Sequence, residues 1–281
     1  MARTALIISV SSGIGTAMAH DWIRAGWTVF GTYRTASQDT EDLKKSGARL
    51  VQCDLTDATS MASACDSLRQ LCPKWDVMTL CPGTMDPIGP FASTDFDAWS
   101  QSLHINFTNQ LRMVHALLPT RNLHAEHGPC VLFFAGGGTN NATTHYSAYT
   151  ISKVALIKMC ELLDAELPDT RFTIVGPGWV DTKIHDETLR AKERAGNNFQ
   201  RTQDALAQGN FTPMEDVLTC CNWLIQQPKE IISGRNFSVA YDAWGTDELR
   251  DALADDPDLY KLRRHGNTLS IPRPPTFSNK A

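Results

Sequence analysis

Apolar residues along this chain fall into short unbroken runs, separated by longer segments in which they recur at helical spacing. Ala5-Leu6-Ile7-Ile8-Ser9-Val10 is the first run, with the length and composition of a strand buried on both faces. Ser11-Ser12-Gly13-Ile14-Gly15 follows, and the spacing then predicts a helix over Thr16 to Ala25. Trp27 to Thr32 reads as a second strand and Ala48 to Cys53 as a third. Helical periodicity returns from Asp57 to Leu71, with Pro73 as its stop. Asp76 to Leu80 predicts a fourth strand, ended by Cys81-Pro82-Gly83 and a loop containing Pro87, Gly89 and Pro90. Two helical stretches, roughly Asp95 to Asn106 and Phe107 to Leu123, precede a fifth strand at Cys130 to Phe134. The helix carrying Tyr149 and Lys153 leads to a sixth strand, Arg171 to Val175. This alternation from residue 4 to 175 predicts an α/β fold, a Rossmann-like doubly wound parallel sheet flanked by helices on both faces. Ligands of such folds lie at the carboxyl ends of the strands.

Composition narrows the classes of function. The 281 residues are 42% hydrophobic and 20% charged, enough for one large domain with a full core. A net charge of −5 without a long basic block argues against nucleic acid as a partner. No apolar stretch reaches the roughly 18–20 residues of a membrane span, and the run ending at Val10 is too short for a signal-peptide core. The eight cysteines are scattered, without Cys-x-x-Cys or zinc spacing. They predict buried thiols in a reducing, cytoplasmic compartment and no metal site.

The candidate chemistry lies at the predicted strand ends. Tyr149 and Lys153 are four residues apart at the start of a helical pattern, so both point to one face. A nearby ammonium favours the phenolate and is expected to lower the phenol's pKa, giving a proton donor-acceptor for carbonyl or alcohol chemistry. The turn from Ser11 to Gly15 joins a strand to a helix, the arrangement that binds a diphosphate through free helix amides. After the second strand come Tyr33 and Arg34, with no acid until Asp39. A guanidinium there suits a 2′-phosphate, which favours NADP(H) over NAD(H). Asp54-Leu55 closes the third strand, where the carboxylate is expected either to meet an adenine edge or to cap the next helix, whose run begins at Asp57.

Together these residues resemble the short-chain dehydrogenase/reductase family. The resemblance covers about residues 4 to 240 and rests on Tyr149-x-x-x-Lys153, the Ser11-to-Gly15 turn and Pro177-Gly178-Trp179-Val180-x-Thr182. It implies a sheet of about seven strands, the last within Ile232 to Val239, and a late helix starting near Pro213. It implies that Tyr149 is the acid-base group and that Lys153 holds the nicotinamide ribose. Asn106 matches an asparagine that supports a proton-relay water. Val180, through its backbone, and Thr182 match groups that bind the nicotinamide amide. The remaining cofactor contacts it implies fall on Ser9, Ser11, Ser12, Gly13, Ile14, Gly15, Arg34, Asp54, Leu55, Pro82, Gly83, Pro177 and Gly178. A homodimer or homotetramer, formed through helices around 106–123 and 149–167, is also implied.

Three positions depart from the family pattern. Ser9 stands where the first turn glycine belongs. Leu80-Cys81-Pro82-Gly83 replaces Asn-Asn-Ala-Gly after strand four. Gly136 occupies the place of the catalytic serine. A donor aimed at developing charge contributes roughly 3 kcal/mol to the barrier, so another group is needed there. Thr139 is the first candidate, with Ser147, Asn140 and the amides of Gly136 to Gly138 as others.

Residues 183–212 form the expected substrate lid of a single domain over 1–245. The lid is polar, which suggests a polar small-molecule substrate. A solvated helix face explains the same residues, and His185 reads as structural. Beyond 245, Thr246 to Ala254 and Asp258 to Arg264 predict short helices, and Ile271 to Pro275 an extended, mobile end. The leading expectation is an NADP(H)-dependent oxidoreductase. An epimerase or dehydratase of nucleotide sugars that retains its cofactor, and a non-catalytic NADP(H) sensor, share the same motifs.

Overall fold

A computed structural model describes residues 2–265. Its centre is one parallel sheet in the order β3-β2-β1-β4-β5-β6-β7. The strands are β1 (Thr4–Ile8), β2 (Thr28–Tyr33), β3 (Arg49–Gln52), β4 (Val77–Leu80), β5 (Cys130–Phe134), β6 (Arg171–Gly176) and β7 (Asn236–Ser238). Strand order reverses between β1 and β4, and this switch point opens the crevice in which such sheets bind ligands. β1, β4 and β5 lie at the middle of the sheet. Their near-continuous apolar sequences follow from burial on both faces.

Between the strands run α1 (Gly13–Arg24), α2 (Gln38–Lys45), α3 (Ala58–Leu71), α4 (Phe96–Leu103), α5 (Asn109–Leu117) and α6 (Ser147–Glu166). α7 (His185–Ala191) and α8 (Asn197–Gln208) follow β6, then α9 (Met214–Ile225), the short α10 (Lys229–Ile232) and, after β7, α11 (Asp247–Asp255). One core packs α1, α9 and α11 on one face of the sheet, including Met18, Trp22, Val217, Leu224 and Leu253. The other packs α3, α5 and α6 on the opposite face, including Leu68, Met113, Leu117, Leu156 and Cys160.

Several boundaries differ from the sequence expectation, each for a local reason. α1 begins at Gly13 rather than Thr16, because Ser12 caps it by accepting the Gly15 amide at 3.0 Å. α2 was not expected. Ser37 and Thr40 form a reciprocal capping box that starts it. The stretches read as two helices meeting at Asn106 are α4 and α5, joined through a π-turn over His104–Thr108, and the second ends at Leu117 rather than Leu123. A 3₁₀ turn containing Pro119 follows that end. The last strand is limited to Asn236–Ser238, since 229–232 coil into α10.

α11 starts at its Thr246 cap as expected, but Asp258 to Arg264 forms turns, not a helix. There Tyr260 takes a φ of 63° with its ring edge-on to Phe237. The buried Arg235 guanidinium donates to the carbonyls of Leu253, Asp256 and Leu259, so this end of the described chain is sewn to β7. The Pro-rich segment at 271–275 lies outside the described residues. No helix among the described residues is long and apolar enough to cross a membrane, and all eight cysteines are free.

Candidate active site

The crevice begins at the turn between β1 and α1. Ser9 adopts a φ of 65°, a conformation that glycine takes without cost, and its amide donates to Thr32 Oγ1 at 2.9 Å. Gly15 is fixed by close approach: a Cβ there would lie 2.6 Å from the Ser9 carbonyl oxygen and 2.8 Å from Ser12 Oγ. Gly13 lies against the loop after β6, where a Cβ would meet Thr182 Cγ2 at 2.8 Å. The first-turn amides of Gly13 and Ile14 point out of the helix end, as an anion requires. Ser11 lies at the same mouth, while the Ser12 hydroxyl is committed to the cap.

Along the ends of β2 and β3 is a cavity of about 610 Å³ lined by Arg34, Thr35, Gln52, Asp54, Thr56, Ser60 and Ser63. Arg34 is exposed. Hydrogen bonds from the Thr56 amide and hydroxyl hold the Asp54 carboxylate and keep its pKa below the usual range. The Leu55 side chain is in the core and its carbonyl accepts from Asn109 Nδ2 at 2.7 Å. Pro82 is likewise buried, with its carbonyl accepting from Gln110 Nε2, whereas Gly83 is exposed at the crevice. Val180 is a core side chain whose carbonyl contacts His185 Nε2 at 2.9 Å, and Pro177 and Gly178 form the bend before it. A glycine cradle, free amides at a helix end and a polar cavity beside a guanidinium fit a nicotinamide dinucleotide.

α6 brings Tyr149 and Lys153 together, with Lys153 Nζ 5.6 Å from the centre of the Tyr149 ring. Lys153 is 3% exposed and donates to the Phe134 carbonyl at 3.0 Å. Burial pushes its ammonium down to about 8. The phenol moves opposite to the sequence expectation: burial first, and the negative charge of Glu187 second, push Tyr149 up to about 12. The lysine faces the ring and is bonded to backbone, so its attraction for a phenolate does not offset these two effects.

Asn106 is fully buried in the π-turn, a distortion that often accompanies functional sites. Its Oδ1 accepts the Thr84 amide at 3.0 Å, and its Nδ2 donates to the Thr84 carbonyl at 2.8 Å and to Ser102 Oγ at 3.1 Å. The carbonyl of Asn106 accepts from Gln110 Nε2 at 2.9 Å.

At Gly136 the missing side chain is replaced by the tyrosine itself. A Cβ there would collide with the Tyr149 phenol oxygen and lie 2.6 Å from two of its ring carbons. Thr139 donates to the Gly136 carbonyl at 3.3 Å, which engages its hydroxyl in the turn. Ser147 Oγ accepts from Trp99 Nε1 at 2.9 Å.

The segment after β6 folds over this centre. Most of its polar side chains face solvent or tie the segment down, so its polarity says little about a substrate. Ala191 and Ala195 pack with Ile88 and Tyr146 in a small separate core, and Met85 and Phe199 lie against it. Tyr146 Oη and Thr188 Oγ1 are 2.9 Å apart, and His185 stacks on Trp179 with ring centres 4.5 Å apart. Sequence reasoning missed Glu187 as a site residue. Its carboxylate accepts from Thr84 Oγ1 and from the amides of Met85 and Asp86, and its charge reaches Tyr149. No local signal marks it, since its partners are 101 to 103 residues away.

A family model described as enoyl-(acyl carrier protein) reductase matches residues 8–241. Serine 3-dehydrogenase of Agrobacterium fabrum is 28% identical over 245 residues, covering 82% of this chain and 91% of that protein. A dehydrogenase/reductase SDR family protein 7-like of Anopheles gambiae is 24% identical, covering 82% and 74%. Among solved structures, a short-chain dehydrogenase/reductase from Saccharomyces cerevisiae superposes with a TM-score of 0.74 at 21% identity, covering 90% of this chain and 98% of the other. An actinorhodin polyketide ketoreductase solved with NADPH gives 0.72 at 19%, covering 85% and 95%. With the parallel sheet, the glycine turn and the Tyr-Lys pair of α6, these matches place the chain in the short-chain dehydrogenase/reductase family, as an oxidoreductase.

Proposed function

We propose that the protein is an NADP(H)-dependent oxidoreductase that interconverts a carbonyl and an alcohol on a small molecule. The observation that carries this reading is the pairing on α6 of the Tyr149 phenol, which fills the space beside Gly136, with the buried Lys153, whose Nζ lies 5.6 Å from the ring centre. A phenol placed there can pass a proton to or from a substrate oxygen. The dinucleotide, when bound, supplies the hydride. Gly13 and Ile14 offer amides to its diphosphate, and Arg34 lies where a 2′-phosphate would meet a guanidinium. Lys153 keeps a buried positive charge beside the phenol, and Tyr149 gives its proton to the substrate oxygen. Asn106 fixes the Thr84 backbone on the far side of the site. Support for NADP(H) comes from Arg34 and, by analogy, from the ketoreductase solved with NADPH. Ile151 and Leu162 on α6, 48% and 45% exposed, support a homo-oligomer formed through that helix.

The packing of the phenol into the Gly136 position favours one rival, a protein that binds NADP(H) without chemistry. Both readings meet in one experiment. The wild type and Tyr149→Phe are assayed with NADPH against glyceraldehyde and dihydroxyacetone, and with NADP⁺ against L-serine. NADPH and NADH affinities are measured alongside. The expected outcome is reductase activity that falls at least about a thousandfold in Tyr149→Phe, within the range of a lost general acid. NADPH should bind more tightly than NADH in both proteins. Full turnover in the variant removes Tyr149 from the mechanism, and NADPH binding without turnover of any probe selects the sensor.

A further inference from the structure

Glu187 sits where the lid meets the loop after β4, and its charge reaches the tyrosine. It is partly buried on α7, and burial, with Asp86 nearby, pushes its pKa up despite three donors. A solvated helix face would not bury a carboxylate in this way, because desolvating the charge is unfavourable unless donors converge on it. Here they do. Thr84 Oγ1 lies 3.2 Å from both oxygens, and the amides of Met85 and Asp86 point at Oε2. Thr84 is in turn held through both its amide and its carbonyl by the Asn106 side chain. Other ties of the lid reach different places: Thr188 joins Tyr146, Arg194 joins the Ile88 carbonyl, and Asn198 joins the Thr144 carbonyl. Glu187 links the lid to the asparagine of the π-turn.

We propose that Glu187 is the clasp of the substrate lid, a positioning residue that holds α7 closed on Thr84–Asp86 and registers it against Asn106. The role in turnover rests on the reading of Tyr149 as the proton donor.

Amide hydrogen exchange on the full chain tests the clasp without a substrate. In Glu187→Ala, the Met85 and Asp86 amides and α7 should exchange at least about tenfold faster, the scale of one lost charge-assisted hydrogen bond. Glu187→Gln should stay within about threefold of wild type, because its carbonyl can face the two amides while its NH₂ faces Thr84 Oγ1. With glyceraldehyde and NADPH, Glu187→Ala should raise KM about tenfold and leave kcat within about threefold, and Glu187→Gln should restore KM. Wild-type exchange at Met85 and Asp86 in Glu187→Ala overturns the proposal. So does an unchanged KM despite lost protection, or a Glu187→Gln variant as impaired as the alanine. If glyceraldehyde is not reduced by the wild type, the functional reading fails there while the exchange result still decides the clasp. Should Glu187→Ala not fold, Thr84→Val removes the hydroxyl donor from the other side, and α7 exchange must rise if the clasp exists.

Discussion

The two sides of the crevice are held by different means. On the cofactor side, backbone does the holding: a glycine fitted against the Ser9 carbonyl, a helix started by Ser12, and strand ends in register. On the substrate side, side chains reach across the chain: Glu187 to Thr84, Tyr146 to Thr188, Tyr149 into the space beside Gly136. Backbone cradles suit a ligand of fixed shape, such as a dinucleotide. Side-chain clasps can be exchanged residue by residue without disturbing the sheet, so specificity can change there at little structural cost. Two of the departures from the family pattern show the contrast. Ser9 takes the positive φ that its turn requires, whereas Gly136 leaves a space that the Tyr149 phenol fills.

The most forceful way to break this comparison is to fill the space beside Gly136. In Gly136→Ala, the added methyl would collide with the phenol oxygen and lie 2.6 Å from two ring carbons, so the ring must leave its seat. Displacing a reacting group by about 1 Å costs on the order of a hundredfold in rate. The expected outcome in steady-state assays is a drop in kcat of about a hundredfold with NADPH affinity unchanged. Undiminished turnover would show that the phenol has a second working position, and the substrate side would then be as tolerant as the cofactor side.

Lys153 gives a smaller effect, in stability. Its pKa is lowered from 10.5 to about 8 by burial, so below pH 8 the folded chain carries the full penalty of an enclosed charge. Between about 8 and 10.5 the unfolded chain binds a proton that the folded chain has released, and stability rises with pH across that window. Tyr149 acts in the opposite sense above its ordinary value of 10, where the folded chain retains a proton that the unfolded one loses. Lys153→Met should therefore stabilise the cofactor-free protein at pH 7 by about 2 kcal/mol, after allowing for the lost bond to the Phe134 carbonyl. Urea melts at pH 7 and pH 10 check this, since the gain must shrink as the pH rises. The same variant should lose turnover, a buried charge being kept for function at the expense of stability.

How much of this was legible in the sequence follows the same division. The strand runs, the Ser11-to-Gly15 turn and the Tyr149–Lys153 spacing are local patterns, and they carried the fold and the cofactor side. The helix starts near Asp57 and Thr246 were readable for the same reason, although the cap of α3 is Asp57 rather than Asp54. The clasp at Glu187 was not, because its donors lie on a loop about a hundred residues earlier. Gly136 read as the loss of a hydroxyl, since a glycine in a sequence cannot say which neighbour fills its space. The direction of the Tyr149 shift was missed because spacing places an ammonium near a phenol but does not reveal how deeply both are enclosed. Asp258 to Arg264 had helical composition, yet the Arg235 carbonyl contacts and the Arg263 pairs with Glu161 and Asp258 fix it as turns.

The mildest probe is Ser9→Gly, which asks whether the cofactor side is as indifferent to its own departure as the backbone suggests. A non-glycine residue at a φ of 65° carries strain on the order of 1–2 kcal/mol, because its Cβ crowds the following carbonyl. Glycine removes that strain but adds about 0.4–1 kcal/mol of unfolded-chain entropy. The net gain should be about 0.5 kcal/mol, or roughly 1–2 °C in Tm for a chain of this size. The Ser9 amide bond to Thr32 is main-chain and survives the change. NADPH affinity should then stay within about twofold, read as an equal shift of the melt by saturating NADPH in both proteins. A gain in Tm with a tenfold weaker NADPH complex would instead make the Ser9 hydroxyl a phosphate donor. The cofactor side would then rely on a side chain as much as the substrate side does.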